Sequence, residues 1–181
     1  MFGPVLRGER VTLRPANDSD PPLFLPWVSD VEVTRYLGRR TGMALFQEID
    51  FFKKVGESKI DVLWIVEFEG RTVGATGIHE ISWQNAHATT GTLIGDKTAW
   101  GKGVASEAMS LRTRYAFREL NLRKLVTEVF VKNEASRRAL EKSGYRTVGI
   151  HKEHFFTGGE WHDIWIGEVL RSDWEKSHPD G

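Results

Sequence analysis

No cysteine occurs among the 181 residues, which excludes disulfides, thiolate metal sites and a cysteine nucleophile together. Long apolar runs are missing too. The longest, Val62-Leu63-Trp64-Ile65-Val66, falls far short of the roughly 18 to 20 residues of a membrane helix, so no membrane partner is expected. Arg7, Glu9 and Arg10 stand where the apolar stretch of a secretory signal would lie, and a cytoplasmic address follows as the default. Neither charge is in surplus: 25 Lys and Arg face 25 Asp and Glu. No global field draws polyanions and no basic stripe is evident, so nucleic acid is not an expected partner. Internal repeats and low-complexity tracts are absent as well.

What is present suffices for a core. With 40% hydrophobic and 28% charged residues, whole-chain disorder is excluded. The length predicts a single domain over residues 1–181, with a frayed tail from about Ser177. Val5 to Arg14 alternates as a strand with a turn at Gly8. Asn17-Asp18-Ser19-Asp20 before Pro21-Pro22 predicts a helix start leading into Leu23, Phe24, Trp27 and Val28. Two short helices should follow, over Asp30 to Leu37 and Ala44 to Val55. The period then changes to that of strands: Val62 to Phe68, Thr72 to Ile81 and Ala86 to Ile94. A helix over Val104 to Leu120, a strand over Lys124 to Val131 and a helix over Glu134 to Lys142 come next. A hairpin of Arg146 to Phe156 and Trp161 to Leu170 turns around Gly158-Gly159. The order describes a mixed α/β (α+β) domain around one mostly antiparallel sheet, with a central parallel strand-helix-strand crossover flanked by helices. Chemistry is expected at the crossover.

There the chain reads Trp100-Gly101-Lys102-Gly103-Val104-Ala105-Ser106, a glycine corner between a strand and a helix. Unpaired N–H groups and the positive end of the helix dipole make such a corner fit for phosphate; a plain tight turn without a ligand is the bland alternative. Gly91 to Thr98 nearly spells a Walker A loop, but Asp96 stands where its second glycine must be. Gly101-x-Gly103-x-x-Ser106 nearly spells a dinucleotide fingerprint, with serine for its third glycine and no convincing ribose acid downstream. A second motif, Asn133-Glu134-Ala135-Ser136-Arg137-Arg138-Ala139-Leu140-Glu141-Lys142-Ser143-Gly144-Tyr145, begins where the next strand ends, with Asn133 as a candidate N-cap.

The two spaced motifs, the Gly-aromatic step Gly144-Tyr145, Leu13-Arg14-Pro15 with Asp18 and Asp20, and the Val73-Gly74 step together resemble the GNAT N-acetyltransferase superfamily, and within it the RimJ/RimL-like branch. The resemblance spans nearly the whole chain. It implies a GNAT-like three-layer fold with about seven strands, acetyl-CoA as cofactor, CoA as product, no metal, and direct transfer to an amine in a ternary complex. Trp100 to Ala105 would match the family's Gln/Arg-x-x-Gly-x-Gly/Ala element, with Trp100 departing from it; amides of Gly101, Lys102, Gly103, Val104, Ala105 and Ser106 would hold the pyrophosphate. Leu93, Ile94 and Gly95 would lend main-chain groups to the pantetheine arm and an N–H to the thioester oxygen. Ser136 resembles the serine placed near the CoA sulfur in this branch, and it stands as the leading proton donor; Leu140 occupies the position of the tyrosine used elsewhere. Asn133 and Ser136 thus count among the cofactor contacts. The acceptor would be a protein N-terminus or a small amine, and the resemblance allows a homodimer.

A general base is harder to name, because Thr89 stands where related sequences carry glutamate. His79, Glu80 and Glu128 are the candidates, with the expectation that His79 and Glu80 point to opposite faces of their strand. Trp27, Trp83 and Trp161, with Phe24, are candidate acceptor contacts, whereas Trp64 and Trp165 suit the sheet core. His151 and His154 with His162 and Asp163 are not expected to hold a metal, since residues three apart on a regular strand face opposite ways. An acyl-CoA-binding sensor without turnover is the alternative to an enzyme.

Overall fold

The computed structural model describes residues 1–38 and 41–178. In chain order these form β1 (Leu6–Arg7), β2 (Val11–Arg14), α1 (Asp20–Ser29), α2 (Val31–Thr34), α3 (Leu45–Glu57), β3 (Val62–Phe68), β4 (Arg71–Ser82) and β5 (His87–Ile94). A short 3-10 turn, Lys97–Ala99, leads to α4 (Val104–Arg118), β6 (Lys124–Phe130), α5 (Glu134–Lys142), β7 (Arg146–Thr157), β8 (Glu160–Leu170) and α6 (Arg171–Ser177). The strands make one eight-stranded sheet in the order β1-β2-β3-β4-β5-β6-β8-β7. The count exceeds the expected seven because the first strand is broken at Gly8, whose N–H donates to the Val11 carbonyl at 2.8 Å. The β5–β6 pair is parallel, and every other paired neighbour is antiparallel.

The longest apolar run becomes β3, and its neighbours explain it. Val62, Trp64 and Val66 pack with Val104, Ala108, Met109 and Phe117 of α4 on one face. Leu63 and Ile65 pack with Phe24 of α1 and with Phe52 and Val55 of α3 on the other. A strand covered on both sides shows no alternation, since every side chain is inward. Trp64 and Trp165 are core residues, 0% and 2% exposed. The sequence pattern did not anticipate α6: this single short helix is anchored by Trp174 and directly continues β8, so Ser177 closes a helix rather than starting a tail. Residues 179–181 of the expected tail lie outside the described residues. No described helix is long and apolar enough to cross a membrane.

The Asn17-Asp18-Ser19-Asp20 stretch does start α1, but by another route than capping. Ser19 is the N-cap and makes no side-chain cap bond. Asp20 is instead fully buried and receives both terminal nitrogens of Arg14 at 2.8 Å, while the Asn17 N–H donates to it at 2.7 Å. Arg14 Nε also donates to Glu67 at 2.6 Å. These partners hold the guanidinium above its ordinary range, the Asp20 bond first. Removing one member of a buried ion pair strands the other. Arg14→Ala is therefore expected to cost roughly 3 to 5 kcal/mol, read as a lowered thermal midpoint by circular dichroism.

Candidate active site

The parallel ladder is short. His87 pairs with Lys124, Ala88 with Leu125 and Thr89 with Val126, after which β5 stays on β4 while β6 continues on β8. Two hydroxyls close the angle: Thr90 Oγ1 donates to the Val126 carbonyl at 3.3 Å, and Thr127 Oγ1 donates to the Thr90 carbonyl at 3.1 Å. Beyond them the strands part around a cleft of about 620 Å³. Its walls include Gly91 to Ile94 of β5, Thr127 to Val129 of β6, Met109 and Arg112 of α4, Asn133 and Ser136 of α5, and Tyr36 after α2. Since the Thr90 carbonyl points across the fork, the strand period turns the main-chain groups of Thr92 the same way.

The glycine corner forms the open end of this cleft. Gly101 (φ 72°) and Gly103 (φ 83°) are both left-handed, and Gly103 is the N-cap of α4. That conformation is costly for any residue with a Cβ. It leaves the first amides of α4 free of helical partners. The Glu107 N–H is bonded to the Gly103 carbonyl, so the free donors belong to Val104, Ala105 and Ser106. The corner is braced from behind. Arg10 Nη2 donates to the Lys102 carbonyl at 2.8 Å, and Glu107 accepts the N–H groups of Arg10 and Val11 at 2.9 and 3.1 Å.

Three expected cofactor contacts behave differently. Lys102 turns its ammonium over the Phe68 ring, 5.8 Å from the centroid, and does not border the cleft. Gly95 gives its N–H to the Val73 carbonyl at 2.9 Å and packs against Trp27, whose indole a Cβ there would meet at 2.2 Å. Trp100 does border the cleft, but its Nε1 donates to the Ile94 carbonyl at 2.8 Å and ties the corner to the strand. Leu93, Gly101, Gly103, Val104, Ala105, Ser106, Asn133 and Ser136 all line the cleft. Asn133 caps α5, its Oδ1 accepting the Ser136 N–H at 3.2 Å, and the Ser136 hydroxyl has no hydrogen bond among the described residues.

Of the three candidate bases, His79 has the most specific setting. It pairs with Thr89 across β4 and β5, and its ring lies over Gly77 and Gly91. A Cβ would come within 2.6 Å of Nε2 at the first glycine and 3.6 Å at the second. The absence of side chains there gives the imidazole its room behind Gly91 of the cleft wall, and neither His79 nor Glu80 borders the cleft itself. Asp61, just before β3, holds the other ring nitrogen, with Oδ1 3.5 Å from Nδ1. Burial pushes the His79 pKa below its ordinary value against the pull of Asp61, and the positive charge of Arg112 pushes the same way. Asp61 itself is held below the usual carboxylate range, because bonds from Ser58, Glu80 and His79 outweigh its burial. Nothing in the sequence marked Asp61, since a partner for His79 on the next strand is visible only once β3 and β4 are paired.

Glu80 departs from the alternation expected of it. A bulge between His79 and Ser82 gives it a φ of 53°, and its carboxylate lies 3.5 Å from Thr89 Oγ1, the residue opposite His79. His79 and Glu80 therefore both flank Thr89, because alternation fails at a bulge. Glu128 is exposed on β6 and borders the cleft. The same physics overturns the premise used for His151 and His154. Glu153, at φ 48°, lies within a bulge of β7 that brings the two rings to 4.8 Å. No cluster suited to a metal ion is found among the described residues.

The tryptophans chosen as acceptor contacts are not brought together. Trp83 is 48% exposed and bonded to the Lys59 carbonyl at the far end of β4, and Trp161 is 60% exposed against Phe156 at a hairpin tip. Trp27 packs on Phe24 and Gly95. Phe24 itself is buried where α1 packs on α3 and β3. The aromatic walls belong instead to a second cavity, of about 720 Å³, lined by Tyr36, Phe130 and Phe156 together with Arg35, Glu160 and His162. Arg35 and Tyr36 border both spaces. No sequence signal joined these residues, since they come from a segment after α2, the end of β6 and the last hairpin.

Residues 10–146 match the acetyltransferase (GNAT) domain. The chain is 28% identical over 173 residues to an uncharacterized N-acetyltransferase, YoaA, of Bacillus subtilis (strain 168), covering 93% of this chain and 97% of that one. In structure it is similar to spermidine N-acetyltransferase from Vibrio cholerae, solved with CoA and spermine, at a TM-score of 0.86 and 21% identity over 92% of this chain and 99% of the other. RimJ of Mycobacterium smegmatis, solved with CoA-disulfide, matches at a TM-score of 0.79 and 20% identity, covering 90% and 82% of the two chains.

Proposed function

The chain belongs to the GNAT acetyltransferase family, and on that premise we propose that it transfers the acetyl group of acetyl-CoA directly to a primary amine, with residues 1–181 acting as one domain. The observation that carries this reading is the fork between β5 and β6, which opens beside two left-handed glycines at the start of α4. The residues fit the co-substrate. Val104, Ala105 and Ser106 offer unpaired amides for a diphosphate. Thr92 offers main-chain groups for an amide-bearing arm. In the transfer, the amine nitrogen forms a bond to the thioester carbon, the carbon–sulfur bond breaks, and sulfur keeps the electron pair. His79 Nε2, oriented by Asp61 and lying behind Gly91, accepts the proton released by the amine through a bridging water; its lowered pKa keeps it neutral at neutral pH. Ser136 returns a proton to sulfur. Holding the two reactants in line supplies much of the remaining acceleration.

The amine is proposed to arrive through the cavity of Tyr36, Phe130 and Phe156. A polyamine or a protein N-terminus is suggested by the two solved relatives, which are a spermidine N-acetyltransferase and RimJ. The test is thiol release from acetyl-CoA in the presence of polyamines, amino sugars and peptides with free N-termini. Turnover on one class is expected; tight CoA binding with turnover on none would favour an acyl-CoA sensor instead. Ser136→Ala should lower kcat about tenfold to a hundredfold and lower CoA affinity far less, as loss of one proton-transfer group does. Unaltered turnover would remove Ser136 from the mechanism.

A further inference from the structure

Arg112 lies in the middle of α4, only 1% exposed, where it borders the cleft. Its Nη1 donates to Thr76 Oγ1 at 2.9 Å, to the Gly91 carbonyl at 2.9 Å and to Thr92 Oγ1 at 3.0 Å. Nη2 donates to the Tyr145 hydroxyl at 3.3 Å, and that hydroxyl lies 3.1 Å from Thr90 Oγ1 at the closed end of the fork. Every acceptor is neutral. Among the described residues no carboxylate pairs with Arg112, and its buried Nε has no partner. A guanidinium keeps its charge in any protein environment. Buried charges are ordinarily paired, because an uncompensated one is costly. Bracing β4 to β5 would not require a charge, since a neutral amide can donate to the same oxygens. The charge itself is what the packing leaves unexplained.

On the reading of the cleft given above, we propose that Arg112 supplies the fixed positive charge against which the CoA sulfur departs at the closed end of the fork. It is a positioning residue: it holds Gly91, Thr92 and the Tyr145 hydroxyl in place, and its charge acts through space in a site where water is scarce. As the nitrogen–carbon bond forms and the carbon–sulfur bond breaks, negative charge moves first to the carbonyl oxygen and then to sulfur. The amine proton goes to His79 and on to solvent, and sulfur takes its proton from Ser136, which solvent replenishes. The other charged groups around the fork are Glu32 and Arg35 near α2, Glu128 on β6, Arg138 and Lys142 on α5, and His79 on the opposite face of the sheet. Glu32 shares Lys97 with Asp30, at 2.5 and 2.8 Å, and Arg112 is the deeply buried cation of the set.

The test reads the sulfur directly. CoA bound to the full-length protein is titrated by the ultraviolet absorbance of its thiolate, in the wild type and in Arg112→Met, Arg112→Gln and Arg112→Lys. The bound thiol should ionise more readily than free CoA in the wild type. Its thiolate fraction near neutral pH should fall about tenfold in the Met and Gln variants, a loss of one charge–charge contact, and be largely kept in the Lys variant. The kcat should fall about tenfold to a hundredfold with KM for acetyl-CoA little changed. If the Met variant does not fold, the Gln and Lys pair decides, since both keep a donor in place. Thiol titration that is the same in the wild type and in a folded neutral variant overturns the proposal, even if activity falls. Failure of the wild type to bind CoA at all would instead overturn the reading of the cleft, and this inference with it.

Discussion

Gly103→Asp is expected to weaken coenzyme A binding at least about a hundredfold by calorimetry while the protein remains folded. Two effects act together. A residue with a Cβ at φ 83° carries roughly 1 to 2 kcal/mol of strain, and a carboxylate at the N-cap of α4 would face the diphosphate that those amides are meant to hold. Gly103→Ala separates the two. Its Cβ would come within 3.1 Å of Arg10 Nη2, so Arg10 must shift from the Lys102 carbonyl and the corner loosens. Binding should then fall only about tenfold. If the Asp variant binds coenzyme A as the wild type does, the corner is not the diphosphate site.

His79→Ala should lower kcat about a hundredfold to a thousandfold with KM for acetyl-CoA nearly unchanged, the expected loss for a positioned base. The pH dependence gives an independent check. Burial holds His79 below its ordinary pKa, so the acid limb of kcat/KM lies below the usual histidine range when the acceptor amine is itself neutral there. Asp61→Asn removes the carboxylate that favours the imidazolium, so this limb should move further down while activity at neutral pH falls about tenfold, the ring being a weaker base and less firmly oriented. An unmoved limb in the Asn variant would separate Asp61 from the base. Stability follows the same sign. A histidine with a lowered folded pKa loses stability as pH falls below its unfolded value, and Asp61, itself lowered, adds a loss as pH falls through its folded value. Both make the fold weaker toward acid.

Periodic elements were legible in the sequence because their signal is local. The shift from helical to strand period at Val62, the helix over Glu134–Lys142 with its Asn133 cap, and the glycine corner all appear in the structure where the pattern places them. So does the crossover, because a strand, a helix of this length and a second strand leave few other solutions. Two departures share one cause. The alternation of β4 and β7 breaks at bulges around Glu80 and Glu153, since an inserted residue is invisible to a period of two. The partners that matter most at the site, Asp61 for His79 and Tyr145 for Arg112, lie 18 and 33 residues away along the chain and meet only through strand pairing and helix packing. Trp83 and Trp161 stand on the surface and Trp27 lies half-buried against Gly95, whereas the aromatics lining the second cavity are Tyr36, Phe130 and Phe156.

Strands β1 to β5 and strands β6, β8 and β7 are two antiparallel blocks sewn together by three parallel pairs and two threonine hydroxyls. Whatever fills the gap stands in for the rungs this seam lacks, so ligand binding and fold stability become one quantity here. A ligand at a hundred times its dissociation constant adds about 2.7 kcal/mol to resistance against unfolding. The protein can therefore be expected to be firmest when charged with its donor and most yielding just after releasing the spent thiol.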